Sequence, residues 1–332
     1  VTVEERLVQR LYRRLADGEF HSGALLAEHC GVSRSAVWKA VGQLRALGVE
    51  VHAVPNRGYR LPRAGAPLEL SSIRSALGAI AAAKLRRGEV WWSTDSTNAQ
   101  LLARADLPPG HFDFLLAECQ TAGRGRRTRS WLAPPGGALC FSLSWSFAVL
   151  PRDVTALSLV AGVCVLRALE GVGVRGVALK WPNDLVSDGR KLGGILIELR
   201  AEAGGPAYAV VGIGINVALG AEMRARVQAT GTEAIDLLSL GWAQPDRNAL
   251  AAAVINEVLT GILQFERTGF GSFAPDWRRA DALAGRSVVV SSDAGAVHGH
   301  ARGIDAEGAL CVQTRDGVQR FISGEVSVRA DA

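Results

Sequence analysis

Residues Gly123-Arg124-Gly125-Arg126-Arg127-Thr128-Arg129-Ser130-Trp131 hold four arginines in nine positions, with no acid among them. A packed helix or strand interior tolerates such a density of like charge poorly, so any fold of this chain has to carry the stretch as a surface loop. Guanidinium forks suit carboxylate and phosphate oxygens. Gly123 and Gly125 permit tight turns and close approach to a ligand. Taken alone, the stretch is also compatible with a solvated basic turn. With the features that follow, it reads as a loop that gains order around an anion.

The chain of 332 residues is long enough for two or three domains. Its cysteines, Cys30, Cys119, Cys140, Cys164 and Cys311, follow no disulfide or zinc spacing and point to reduced thiols in a cytoplasmic protein. The start is charged and helical in character, unlike a secretory signal, and no apolar run is expected to span a membrane. The formal charge is +5. Residues 1–64 hold ten Lys/Arg against six Asp/Glu, a local +4 that raises the question of nucleic acid.

That segment has a helical apolar face over Val3–Asp17, a short second helix after His21-Ser22-Gly23, and a tight connection at Cys30–Arg34. A third helix follows, with Ser33 as its cap and Gly48 as its stop. The pattern predicts a helix-turn-helix, and the hairpin around Pro55-Asn56-Arg57-Gly58 adds a wing. Ser33, Arg34, Ser35, Trp38, Lys39 and Gln43, with Arg57 on the wing, are the candidate DNA-binding residues. The same fold also serves protein interaction.

Beyond a linker at 63–67, an alanine-rich helix is expected over Ser71–Arg86, then a strand ending in Thr94-Asp95-Ser96-Thr97-Asn98, a set of small polar groups suited to a compact ligand or a helix cap. Apolar strands follow at Phe114–Glu118, Leu139–Trp145, Val177–Lys180, Ile195–Leu199 and Ala209–Asn216, with long helices at Val154–Leu169 and Asn248–Phe265. Gly212 and Gly214 would weaken a strand unless a flat ligand lies on the sheet there or the backbone bulges. From Gly285 onward, short strands separated by glycine turns predict a small β-barrel, too small to stand without leaning on the central domain. The architecture is α+β: a winged helix-turn-helix over 1–62, a central mixed β-sheet with helices over 68–283, and the C-terminal barrel over 284–332.

Lys180 ends an apolar strand and is followed by Trp181-Pro182-Asn183-Asp184. A lysine held there suits stabilising charge on a carboxylate attacking phosphorus, with Asp184 an available charge partner. A strand-end lysine packing its stem is the structural alternative. The chain lacks a P-loop, a kinase motif set, a Ser-His-Asp order and a His/Cys metal cluster. What remains is activation of a small acid by a nucleotide, carried by positioning and electrostatics.

Gly123–Arg127, Lys180-Trp181-Pro182-Asn183-Asp184, Lys191-Leu192-Gly193-Gly194-Ile195-Leu196-Ile197-Glu198 and Gly212-Ile213-Gly214-Ile215-Asn216 together resemble the biotin–protein ligases. The N-terminal winged helix makes the chain similar to the bifunctional class, in which the ligase is joined to the repressor of biotin synthesis. The resemblance runs to Arg302-Gly303-Ile304-Asp305 and Gly324-Glu325-Val326-Ser327. It implies a central fold like the class II aminoacyl-tRNA synthetases and an SH3-like C-terminal barrel. It also implies biotin and ATP as substrates with Mg²⁺, and a two-step reaction through biotinyl-5′-adenylate. The acceptor is a lysine of the biotin carboxyl carrier protein of acetyl-CoA carboxylase. Operator DNA and an adenylate-loaded homodimer are the other implied partners.

Carried over residue by residue, Ser96, Thr97, Asn98, Gln120, Gly123, Arg124, Arg126, Lys180, Gly193, Gly212 and Gly214 are expected around biotin. Arg124, Arg126, Arg127, Arg129, Trp131, Lys180, Asn183, Asn216 and Arg302 are expected around the adenylate. Lys180, Arg124 and Arg126 are the catalytic candidates, and no protein metal ligand stands out. The chain has Thr128 where the best-known members of the class carry a glycine, and Thr230–Ala234 lacks the tryptophan that they place over the adenine. Related readings are a lipoate–protein ligase and a biotin-sensing repressor without ligase activity.

Overall fold

The computed structural model describes residues 3–62, 65–104, 106–127, 129–201, 206–243, 245–292, 295–322 and 327–330, the last four for backbone only. Thr128, part of the linker and Gly324–Val326 lie outside these residues. The first unit packs α1 (Val3–Leu15), α2 (Gly23–Cys30) and α3 (Arg34–Ala46) against a hairpin of β1 (His52–Val54) and β2 (Gly58–Arg60). Ser22 and Ser33 cap α2 and α3 by accepting from Leu25 N and Ala36 N, and Gly31 takes the left-handed conformation that stops α2. Leu11, Leu15, Val37, Val41 and Leu44 form its core, into which Trp92 of the central unit also packs.

The central unit begins with α4 (Leu70–Ser75) and α5 (Ala79–Lys84). This corrects the single helix expected over 71–86: Gly78 adopts an extended conformation and starts a new helix, and Leu85-Arg86 already belong to a strand. Then come β3 (Leu85–Thr94), α6 (Thr97–Leu102), β4 (Phe112–Gln120), β5 (Ala138–Phe147), α7 (Leu157–Gly171), β6 (Ala178–Lys180), β7 (Asp184–Ser187), β8 (Arg190–Ala201), β9 (Ala207–Asn216), α8 (Ala221–Gln228), α9 (Arg247–Thr268) and α10 (Ala274–Ala280). The seven strands form one mixed sheet in the order β3-β4-β5-β9-β8-β7-β6, with β3 parallel to β4 and the other neighbours antiparallel.

Alternation along β5 explains the two faces of the sheet. Leu139, Phe141, Leu143, Trp145 and Phe147 enter the main core with residues of α7 and α9. Cys140 and Ser142 point the other way, in register with Gly214 and Gly212 of β9, which are paired in turn with Gly194 and Leu196 of β8. Residues 154–171 and 247–268 are long and apolar enough to cross a membrane by length and composition, contrary to expectation, but most of each is buried in this core, 72% and 61%.

The C-terminal unit is an antiparallel sheet of β10 (Ser287–Ser292), β11 (Gly295–Ile304), β12 (Leu310–Thr314), β13 (Gly317–Phe321) and β14 (Ser327–Ala330), in the order β13-β12-β11-β10-β14. Val288, Val290, Ala301, Ile304, Leu310 and Val312 belong to the same buried cluster as the central core. The small unit therefore leans on its neighbour, as its size requires.

Candidate active site

An open pocket of about 720 Å³ lies on the glycine-bearing face of the central sheet. Ser96, Thr97, Asn98 and Gln120 border one end, the arginine loop covers it, and Lys180–Asp184 and Thr230–Ala234 border the other. The loop is closed at its stem, where Trp131 N donates to Gly123 O at 2.8 Å. Arg127 holds a positive φ of 52°.

The polar end is built by the start of α6. Ser96 caps the helix by accepting from Ala99 N at 3.4 Å. Gln120 Oε1 accepts from Thr97 N at 2.8 Å and lies 3.2 Å from Thr97 Oγ1. Asn98 donates from Nδ2 to Glu198 Oε2 at 2.8 Å, so its amide is engaged with the protein.

At the charged end, β6 and β7 form a hairpin that pairs Lys180 with Asp184 along the backbone. Asp184, the expected charge partner in this hairpin, carries an ion pair with Lys191, whose Nζ lies 2.7 Å from its Oδ1. Asn183 accepts from Arg126 Nη1 at 3.3 Å and donates to Ile195 O at 2.7 Å, which draws the loop arginine onto the sheet. Arg126 Nη2 is buried without a hydrogen-bond partner. Burial, followed by the nearby charge of Arg127, lowers the pKa of its guanidinium. A buried cation facing a pocket in this state suits an anionic ligand. Arg124, Arg127 and Arg129 also border the pocket.

The glycines act differently from a bare floor. A side chain at Gly212 would collide with Asn98, and a Cβ at Gly214 would lie 2.5 Å from Trp131 Cε2. The sheet thus makes room for two of its own side chains, which then shape the wall. Gly193 does not border the pocket: a Cβ there would meet Gly214 O at 2.6 Å, inside the sheet, and Gly194 takes the expected place. Gly123 serves the loop stem, and Arg302 is an exposed residue of β11 away from the lining. Asn216 borders the pocket, but its Nδ2 ties Lys191 O (3.2 Å) to Ile235 O (3.1 Å).

Sequence reasoning gave no site role to Lys191, Gly194 or Val227 of α8, all of which line the pocket, although Lys191 and Gly194 belong to one of the motifs that carry the resemblance. Lys191 had a signal: the Asp188-Gly189 turn, with positive φ at both residues, folds it back beside Asp184.

The candidate DNA face is laid out on α3. Arg34, Ser35, Trp38, Lys39 and Gln43 are all exposed, Trp38 by 68%. Arg57 on the wing stacks 4.2 Å over Phe20. Ser33 differs, since its Oγ is used as the α3 cap.

Comparison with known proteins fits this geometry. The Biotin/lipoate A/B protein ligase family matches residues 88–216, an HTH domain matches 6–60, and the biotin protein ligase C terminal domain matches 284–329. The bifunctional ligase/repressor BirA of Escherichia coli is 37% identical over 97% of this chain and 97% of its own length. The chain belongs to the biotin–protein ligase family. Among other members, the BirA of Bacillus subtilis is 32% identical over 94% of this chain and 95% of its own. The biotin–[acetyl-CoA-carboxylase] ligase of Mycobacterium tuberculosis is 37% identical over 74% of this chain and 90% of its own. Among structures of the family, the Aquifex aeolicus biotin protein ligase in complex with biotin and ATP aligns with a TM-score of 0.61 at 27% identity, covering 74% of this chain and 100% of that one.

Proposed function

We propose that this chain is an ATP-dependent biotin–protein ligase and, through its winged helix, a biotin-responsive transcriptional repressor. The observation that carries the ligase reading is the convergence of Lys180, Lys191, Arg124 and Arg126 on one pocket whose far end is neutral and polar. The biotin carboxylate attacks the α-phosphorus of ATP, giving biotinyl-5′-adenylate and pyrophosphate. A lysine of the carrier domain of acetyl-CoA carboxylase then attacks the mixed anhydride, forming an amide and releasing AMP.

Ser96, Thr97 and Gln120 face the biotin ring. Lys180 and Arg126 stabilise the charge that builds on the carboxylate and phosphate oxygens. Arg124 and the rest of the loop cover the adenylate and exclude water. Val227 and Thr230–Ala234 flank the base in place of a tryptophan. Mg²⁺ would be carried by the polyphosphate oxygens of ATP and would offset their charge; among the described residues no group of three His, Cys, Asp or Glu is gathered. The reaction takes place in the cytoplasm. Transfer of labelled biotin to a purified carrier domain, with ATP and Mg²⁺, tests the reading. Incorporation by the wild type that collapses in Lys180→Ala is the expected result, and no incorporation by the wild type would overturn it.

The repressor reading rests on the exposed side chains of α3. Loading with adenylate promotes a side-by-side dimer through the central sheet, which places two such helices on an operator. Selection from a random duplex library with and without biotin and ATP tests this. Enrichment of a two-fold symmetric site only with both ligands is expected, and no enrichment would remove the repressor role while leaving the ligase.

A further inference from the structure

Ser142 lies outside the arginine loop and the lysine hairpin, buried on β5 beneath the polar end of the pocket. Its Oγ is 2.7 Å from Thr97 Oγ1 and 2.6 Å from Asn98 Oδ1. Asn98 turns its amide nitrogen toward two acceptors, Glu198 Oε2 at 2.8 Å and Leu196 O at 3.3 Å. Those acceptors fix the orientation of the amide, so its oxygen has to face Ser142. Gly212 leaves the space in which this amide sits. Glu198 also reaches the loop, its Oε1 lying 3.9 Å from Arg124 Nη1.

Ser142 and Thr97 each carry one hydroxyl proton. Three close oxygen–oxygen contacts draw on those two protons: Ser142 with Asn98, Ser142 with Thr97, and Thr97 with Gln120 Oε1. Both protons are therefore held inside the protein. What Thr97 still offers a ligand at the pocket wall is a lone pair. Gln120 commits its oxygen to Thr97 and sets one amide N–H toward Cys140, which leaves the second N–H as the donor end. The wall presents an acceptor beside a donor.

We propose that Ser142 and Glu198 are positioning residues that set this polarity. It selects a ligand edge that carries an N–H next to a carbonyl, as the cyclic urea of biotin does, against acids whose ring has neither, such as lipoate. The inference rests on the biotin reading given above. A polar wall without this relay would let the Thr97 hydroxyl turn its proton toward the ligand and blur the distinction.

The test is calorimetric titration of the full chain with biotin and, separately, with lipoate, for the wild type, Ser142→Ala, Glu198→Leu, the double variant and Ser142→Thr. Ser142→Ala is expected to weaken biotin by about tenfold and to leave lipoate binding, the ATP KM and kcat at saturating biotin unchanged. Glu198→Leu should act in the same direction, the double variant should be no worse than the weaker single, and Ser142→Thr should restore affinity. Biotin affinity of Ser142→Ala within twofold of the wild type would overturn the relay. A parallel loss of biotin and ATP binding with a lowered unfolding temperature would also overturn it, by assigning Ser142 to the core alone. A wild type that binds no biotin fails at an earlier step, and removes the biotin reading together with this inference.

Discussion

The indole nitrogen of Trp181 donates to the carbonyl oxygen of Gly308 across 3.0 Å, joining the lysine hairpin to a turn of the C-terminal unit. That turn is organised by Asp305, whose Oδ1 accepts from Glu307 N and Ala309 N. Gly308 has φ +84°, and a Cβ there would lie 2.7 Å from Leu159 Cδ1. Trp181→Phe strands a buried carbonyl and is expected to cost about 1–3 kcal/mol of stability, with a lower kcat for biotin-dependent ATP–pyrophosphate exchange. Denaturant unfolding and exchange kinetics check both, and Gly308→Ala should reproduce them.

Lys191 and Asp184 form one unit beside Lys180. Lys191→Ala is expected to raise the KM for ATP and lower kcat, and Lys180→Ala to lower kcat by about a hundredfold or more. In a double-mutant cycle Lys191→Ala and Asp184→Ala should be non-additive, because each removes the partner of the other.

Arg247 and Glu118 are a buried pair, with Nη1 2.8 Å from Oε2. The guanidinium also donates to Ala66 O, and Glu118 Oε1 accepts from Leu68 N, so the pair fastens the segment that leads into the central unit. Arg247→Met leaves an uncompensated buried carboxylate and should cost about 3–5 kcal/mol, read as a lowered denaturation midpoint.

Gly214 is in contact with the Trp131 ring. Gly214→Ala should displace that ring and the loop stem, weakening biotin by about tenfold through overpacking. Tryptic cleavage in the arginine loop should quicken in parallel.

Burial pushes the Asp281 carboxyl above its usual range, with the amides of Leu283 and Ala284 opposing the shift. An acid whose folded pKa is raised contributes stability below its unfolded pKa and loses it as the pH rises through the folded value. Asp281→Asn, which keeps an oxygen for Leu283 N, should raise the unfolding temperature at neutral pH by on the order of 2 °C. The difference should close below about pH 4.

Much of this molecule was legible before folding. Capping serines, an apolar helical face and a glycine stop specify α1–α3 locally, and exposure of Trp38 and Lys39 follows from their placement opposite Val37 and Val41. The arginine loop and Lys180 were legible because their chemistry excludes a core location. The break at Gly78 was not, since alanines on both sides carry the same propensity. The hairpin that returns Asp184 and Lys191 to one another depends on the turn at Asp188-Gly189, a local signal that apolar periodicity does not register.

By itself the sequence determined the order of units and the charged groups that the site would use, because helix caps, strand alternation and like-charge repulsion act over a few residues. Only the tertiary structure decided which groups meet. Gly212 and Gly214 became seats for Asn98 and Trp131, and Ser142 came to lie under Thr97. Those contacts join strands and loops far apart in the chain, and their register is set by burying one face of the sheet against α7 and α9.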